Sequence, residues 1–211
     1  MTGHEHWTSK KVPEGEVRLF LWQKKATAAP AKGTVLFVHG SSMASQPTFD
    51  LEVPGRPDSS VMDWFATRGY ECWCLDNEGY GRSDKHRPIN FDIANGAEDL
   101  AVASTFVLEN SKAKKLLVYG ISSGALKAAL FAQQHPERVA RLALDAFVWT
   151  GEGSPTLAER KKKLPEWKSK NRRPIVRAFV QGIFARDHPG TADAATIDAF
   201  AKAILSLDDS V

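Results

Sequence analysis

Residues Gly120-Ile-Ser122-Ser-Gly124 set the Ser122 hydroxyl two positions from a glycine on either side. The G-x-S-x-G spacing gains force from its flanks, because apolar Ala113–Tyr119 reads as a strand and Ala125–Gln134 as an Ala-rich helix. A strand that turns sharply into a helix needs small residues on both sides of the turn. It leaves the central serine exposed at the end of the sheet, under a helix N-terminus that favours developing negative charge. That is the chemistry of acyl transfer, with Ser122 attacking a carbonyl. The oxyanion needs two backbone N–H groups. Ser123, next after the nucleophile, is the first candidate donor. Ser41, in the His39-Gly40-Ser41-Ser42 segment that ends the apolar run Gly33–Val38, is the second, with Ser42 as its near alternative.

These groups need a frame. Val17, Leu19 and Leu21 alternate with Arg18, Phe20 and Trp22, as in an early strand. Gly33–Val38 suits a strand buried on both faces. Ser41–Ser60, with three prolines, reads as a long loop, and Val61–Ala66 as a helix stopped by Gly69. Tyr70–Leu75 is a strand, Ile93–Leu108 a helix and Val139–Leu144 a further strand. This alternation predicts an α/β fold: a mostly parallel sheet with helices on both faces. After about Gly151 the strand signals stop, and helices are expected over Thr156–Leu164, Pro174–Ala185 and Ala194–Leu205. The organisation expected is a core over 1–150 and a helical cap or lid over 151–211.

Four segments together resemble the capped α/β-hydrolase-fold serine hydrolases with an HG oxyanion motif. They are Val35–Gly40, Leu75-Asp-Asn-Glu-Gly-Tyr-Gly-Arg-Ser-Asp84, Gly120–Gly124 and Val139–Asp145. The resemblance runs from Val17 to Asp145. It implies Ser122 as nucleophile, a general-base histidine and an orienting acid. Asp145, at the end of the strand after the Ser122 helix, is the in-chain candidate for the acid; most of the family carries it one strand later. The family's histidine lies near the C-terminus, and no residue here matches it. His39 is expected to pack below the site and His86 to lie on the surface. His135 falls at the far end of its helix, roughly 15 Å from Ser122. His188 reads as a loop residue, and His4 and His6 as part of a mobile terminus. The chain therefore reads as a portion of such a fold. It would be completed by a C-terminal fragment or second chain, with an exposed sheet edge that favours aggregation.

The resemblance implies a small carboxylic ester or related acyl compound as substrate, with no organic cofactor and no metal. Cleavage of C–C bonds, amides or lactones would use the same serine, and a non-catalytic ligand-binding or interaction protein on this scaffold is the alternative. Serine at 122 argues against dehalogenases and epoxide hydrolases, which carry aspartate there. In 211 residues, 28 Lys+Arg against 25 Asp+Glu give a net charge of +3, too weak to point to nucleic acid. Export and membrane insertion are not expected, because no apolar leader or long apolar run is present. A cytoplasmic location is expected, with Cys72 and Cys74 as buried thiols on one strand face. Trp64, Trp73, Trp149 and Trp167 are expected in the core, Trp149 also as a pocket wall. Arg160–Arg177, with nine basic residues and one acid, reads as a solvated helical face or as an attractor for an anionic substrate.

Overall fold

The computed structural model describes residues 1–147, 150–185 and 190–208. Its sheet has six strands: β1 (His4–Val12), β2 (Gly15–Lys24), β3 (Gly33–Val38), β4 (Tyr70–Leu75), β5 (Leu116–Ile121) and β6 (Val139–Asp145). The spatial order is β1-β2-β4-β3-β5-β6. β4, β3, β5 and β6 are parallel neighbours, while β1 and β2 form an antiparallel hairpin that joins β4 antiparallel.

β1 corrects the expectation of a mobile terminus around His4 and His6. Its alternation is real, but the inward residues His6, Thr8 and Lys10 are polar, so no apolar stripe announces it. Specific partners offset their burial. His6 stacks near Trp73 and Phe106 and hydrogen-bonds Gln23, and Lys10 Nζ lies 2.6 Å from Asp99 and 3.0 Å from Glu78.

Helices cover both faces, as the alternating pattern predicts. On one, α3 (Ile93–Ser111) and α4 (Ser123–Gln134) close a core with Leu19, Leu21, Leu36, Val38, Trp73 and Leu75. On the other, α1 (Ser45–Phe49) and α2 (Val61–Thr67) pack through Phe49, Met62 and Ala66 on Val35, Phe37, Cys72 and Cys74. The α1 turn inside the long loop carries no sequence signal strong enough to announce it. Both cysteines are unpaired, and burial pushes the Cys72 thiol up to about 12. Each fully buried Leu or Phe here contributes roughly 1.5–3 kcal/mol.

The C-terminal part is helical: α5 (Pro155–Lys162), α6 (Leu164–Ser169), α7 (Arg177–Ala185) and α8 (Ala194–Leu207). α5 answers to the helix expected over Thr156–Leu164, and α6, with Pro165 in its first turn, is a further short helix outside that expectation. α7 and α8 enclose a small separate core of Ile175, Val180, Phe200, Ala201 and Ile204, which rests on Met43 and Leu51 of the loop after β3. Of the tryptophans, Trp73 is fully buried, whereas Trp64 and Trp167 are exposed, contrary to expectation. Trp64 instead carries Arg68 stacked 3.7 Å above its ring. Trp149 lies outside the described residues, as does His188. No helix among the described residues is long and apolar enough to cross a membrane.

Candidate active site

Parallel strands β3, β5 and β6 end side by side, and the sequence-predicted site residues gather there. Between β5 and α4, Ser122 adopts φ 57° and ψ −125°, a left-handed conformation that costs a non-glycine residue about 1–3 kcal/mol. The surroundings enforce it. Ser122 N–H donates to the Asp145 carbonyl at 2.9 Å, tying the turn to the end of β6. A Cβ on Gly120 would overlap the Gly124 carbonyl, and one on Gly124 would overlap the carbonyls of Val38 and His39. Both glycines are therefore demanded by close backbone approach. Ser122 is half-buried, and its hydroxyl has no hydrogen-bond partner among the described residues.

The loop after β3 reaches the same point. A Cβ built on Gly40 would lie 3.1 Å from Ser122 Cβ and 3.6 Å from its Oγ, so this glycine borders the hydroxyl directly. His39 is fully buried with both ring nitrogens engaged: Nδ1–H donates to the Gly40 carbonyl at 2.7 Å, and Nε2 accepts from Asn77 N–H at 3.0 Å. Those two bonds require the neutral ring protonated on Nδ1. Burial, reinforced by the Lys127 charge, pulls its pKa down to about 3. The Gly40–Ser41 peptide is planar and trans, so drawing the Gly40 carbonyl inward turns Ser41 N–H outward. Neither Ser41 N–H nor Ser123 N–H is engaged by another group among the described residues. Ser42, the near alternative, stands at φ 67° with its hydroxyl accepting from Arg173.

A buried polar layer supports this loop. Lys127 on α4 donates from Nζ to Asn77 Oδ1 at 2.7 Å, beneath the rings of Tyr80 and Phe91, and burial lowers its pKa to about 8. Asp76 accepts from Ser45 N–H and Oγ–H at 2.7 and 2.6 Å and from Arg82 N–H at 3.0 Å, binding the loops after β3 and β4 together. Gly81, at φ 54°, is required here because a Cβ would overlap the Asp76 carboxylate. The glycine-rich segment after β4 thus acts as a buttress, and the sequence gives no hint of its partner Lys127.

Asp145 lies at the exposed end of β6, and its carboxylate accepts a short hydrogen bond from the Tyr119 hydroxyl. Burial, followed by this bond, pushes the Tyr119 phenol up to about 12. No histidine ring among the described residues hydrogen-bonds Ser122 or pairs with Asp145. His86 is exposed and His135 ends α4, where its ring packs on Phe131. Among the described residues no group of three or more His, Cys, Asp or Glu is arranged to hold a metal ion. From the helical segment, the Arg173 guanidinium reaches the loop after β3 and donates to Ser42 Oγ.

A family model of the α/β-hydrolase fold matches residues 33–182. No curated protein matches the chain in sequence. Solved structures share the architecture at low identity. A probable hydrolytic enzyme from Pseudomonas aeruginosa PAO1 matches with TM-score 0.65 at 17% identity, over 95% of this chain and 59% of its own. A thioesterase domain from the curacin biosynthetic pathway matches with TM-score 0.60 at 15% identity, over 93% and 64%. A structure from work on carboxylesterases of the thaumarchaeon Nitrososphaera gargenis matches with TM-score 0.61 at 13% identity, over 92% and 65%. The chain thus spans about three fifths of the length of these structures.

Proposed function

We propose that this chain, which belongs to the α/β-hydrolase fold family, is the nucleophile-bearing part of a serine hydrolase acting on a small carboxylic ester or related acyl substrate. The observation that carries this reading is the Ser122 turn: a hydroxyl on strained backbone with Gly40 at its side, followed by an amide that no group among the described residues engages. Ser122 Oγ attacks the carbonyl while its proton passes to a histidine base. The N–H groups of Ser41 and Ser123 hold the oxyanion, worth about 10²–10³ in rate for each donor. Collapse of the intermediate expels the alcohol, which takes the proton back from the histidine. Water then releases the acid from the acyl-enzyme by the same route.

His39 does not serve as base, since one ring nitrogen already accepts a hydrogen bond and the other's proton is committed to Gly40. The base is a histidine outside the described residues, in a further segment or chain that completes the fold. Asp145 is its orienting acid. The helices of 155–208 act as a cap, and the location is cytoplasmic, consistent with two unpaired buried thiols. No cofactor is invoked.

The test is intact-mass spectrometry after reaction with a fluorophosphonate. Ser122 Oγ would bond to phosphorus and expel fluoride. One adduct is expected, absent from Ser122→Ala; an adduct that survives this substitution would overturn the assignment. A second reading, a ligand-binding protein without catalysis, is favoured by the lack of any described histidine at Ser122. A chain that stays unlabelled when every co-purifying segment is present would select it.

A further inference from the structure

The nine cations between Arg160 and Arg177 do not share one environment. Lys162 pairs with Glu159 at 2.5 Å, and Arg177 pairs with Asp198 at 2.8 Å. Most of the others point from α5 and α6 into solvent. Arg173 alone among them is turned onto the loop after β3. Its guanidinium donates to Ser42 Oγ and lies over the Phe179 ring, 5.0 Å from the centroid. Ser42 is two residues from Gly40, which touches Ser122, a span of at most about 7 Å of backbone.

Three features make this guanidinium a recognition group and distinguish it from a structural tie. No carboxylate among the described residues pairs with it, although acids nearby are engaged elsewhere: Asp208 accepts from Gly81 N–H at 2.8 Å and from Lys85 at 2.8 Å. Only one of its partners is a hydrogen-bond acceptor, so most of its five N–H donors are uncommitted. It remains exposed, and is thus reachable from solvent, while Phe179 stacking and a left-handed Ser42 (φ 67°) fix where it sits. A planar fork held on the loop that borders the nucleophile matches the geometry of a carboxylate.

We propose that Arg173 is a specificity-determining residue that anchors an ionised carboxylate carried by the substrate, so that the preferred substrates are short esters or thioesters bearing a second, free carboxylate. This rests on the acyl-transfer reading of Ser122 and narrows its substrate class. The carboxylate can lie on the acyl side or on the leaving group, and matched esters separate the two.

The experiment uses the full protein with every co-purifying segment. For the acyl side, 4-nitrophenyl hydrogen glutarate is compared with 4-nitrophenyl pentanoate. For the leaving group, 4-(butyryloxy)benzoate is compared with its methyl ester. The wild type is expected to favour the anionic member of one pair at least tenfold in kcat/KM, through KM. That preference should fall about tenfold in Arg173→Gln, partly return in Arg173→Lys, weaken with added salt, and persist in Arg172→Gln. An equal preference in wild type and Arg173→Gln would overturn the inference while leaving the hydrolase reading intact. If no ester is cleaved, the hydrolase reading fails, and binding of N-methylglutaramate against N-methylpentanamide, followed by NMR, decides Arg173 alone. Tighter anion binding that Arg173→Gln abolishes supports the anchor, and equal binding of both amides rejects it.

Discussion

The strands on either side of β5 differ sharply. β3 is enclosed on both faces, with Val35, Leu36, Phe37 and Val38 all buried. β6 is exposed over Ala140–Ala143, and its outer edge has no partner among the described residues. The site straddles this difference. On the β3 side, Gly40, His39 and Asn77 form a closed set in which each group has its place fixed by another. On the β6 side, Asp145 is held by one carbonyl bond to Ser122 and one side-chain bond to Tyr119. The β3 side is thus built rigidly within these residues, whereas the β6 side is held loosely beside an open strand edge.

The largest effect is expected where β3 meets the Ser122 turn. Gly124→Ala forces a methyl group into the carbonyls of Val38 and His39, with no flexible side chain to yield. The expected loss is about 3 kcal/mol, read from the urea midpoint, together with loss of fluorophosphonate labelling. A variant as stable and reactive as wild type would mean the two backbones are not in contact.

His39 gives the next. At pH 7, His39→Gln is expected to cost about 2 kcal/mol, because buried hydrogen bonds are lost. The sign of the pH dependence follows from its depressed pKa. The unfolded ring titrates near 6.5 and the folded ring at about 3. Between those values the unfolded chain binds the extra proton, so acid removes stability at up to about 1.4 kcal/mol per pH unit, and above 6.5 the term is flat. Gln cannot titrate, so the gap between wild type and variant should narrow from pH 6.5 toward pH 4. A gap independent of pH would mean that the folded ring takes up protons as readily as the unfolded one.

The same contrast explains what could be read in advance. β3, β5 and the Ser122 turn announce themselves because apolar runs and paired glycines are local signals, and the forces behind them are local too. β1 is hidden because His6 and Lys10 are buried by partners about 70 to 100 positions along the chain, which no window of sequence displays. Arg173 is indistinguishable in sequence from eight neighbouring cations, and only the path of the chain over Ser42 separates it from them. The Tyr119–Asp145 bond likewise depends on the parallel register of β5 and β6.

The smallest expected effect in stability lies at the open strand. Leu142 on β6 is 37% exposed beside an unpaired edge. Leu142→Lys keeps an aliphatic stem over the same surface while its ammonium stays in water, so unfolding should shift by less than about 1 kcal/mol. A lysine on an open edge, however, opposes strand-to-strand association between chains. Light scattering against concentration should therefore fall for the variant while its urea midpoint stays in place. If scattering is unchanged, the β6 edge is not what drives self-association. A large stability loss would instead mean that Leu142 is covered in solution, and that the asymmetry between the two flanks of β5 is smaller than the exposure of β6 implies.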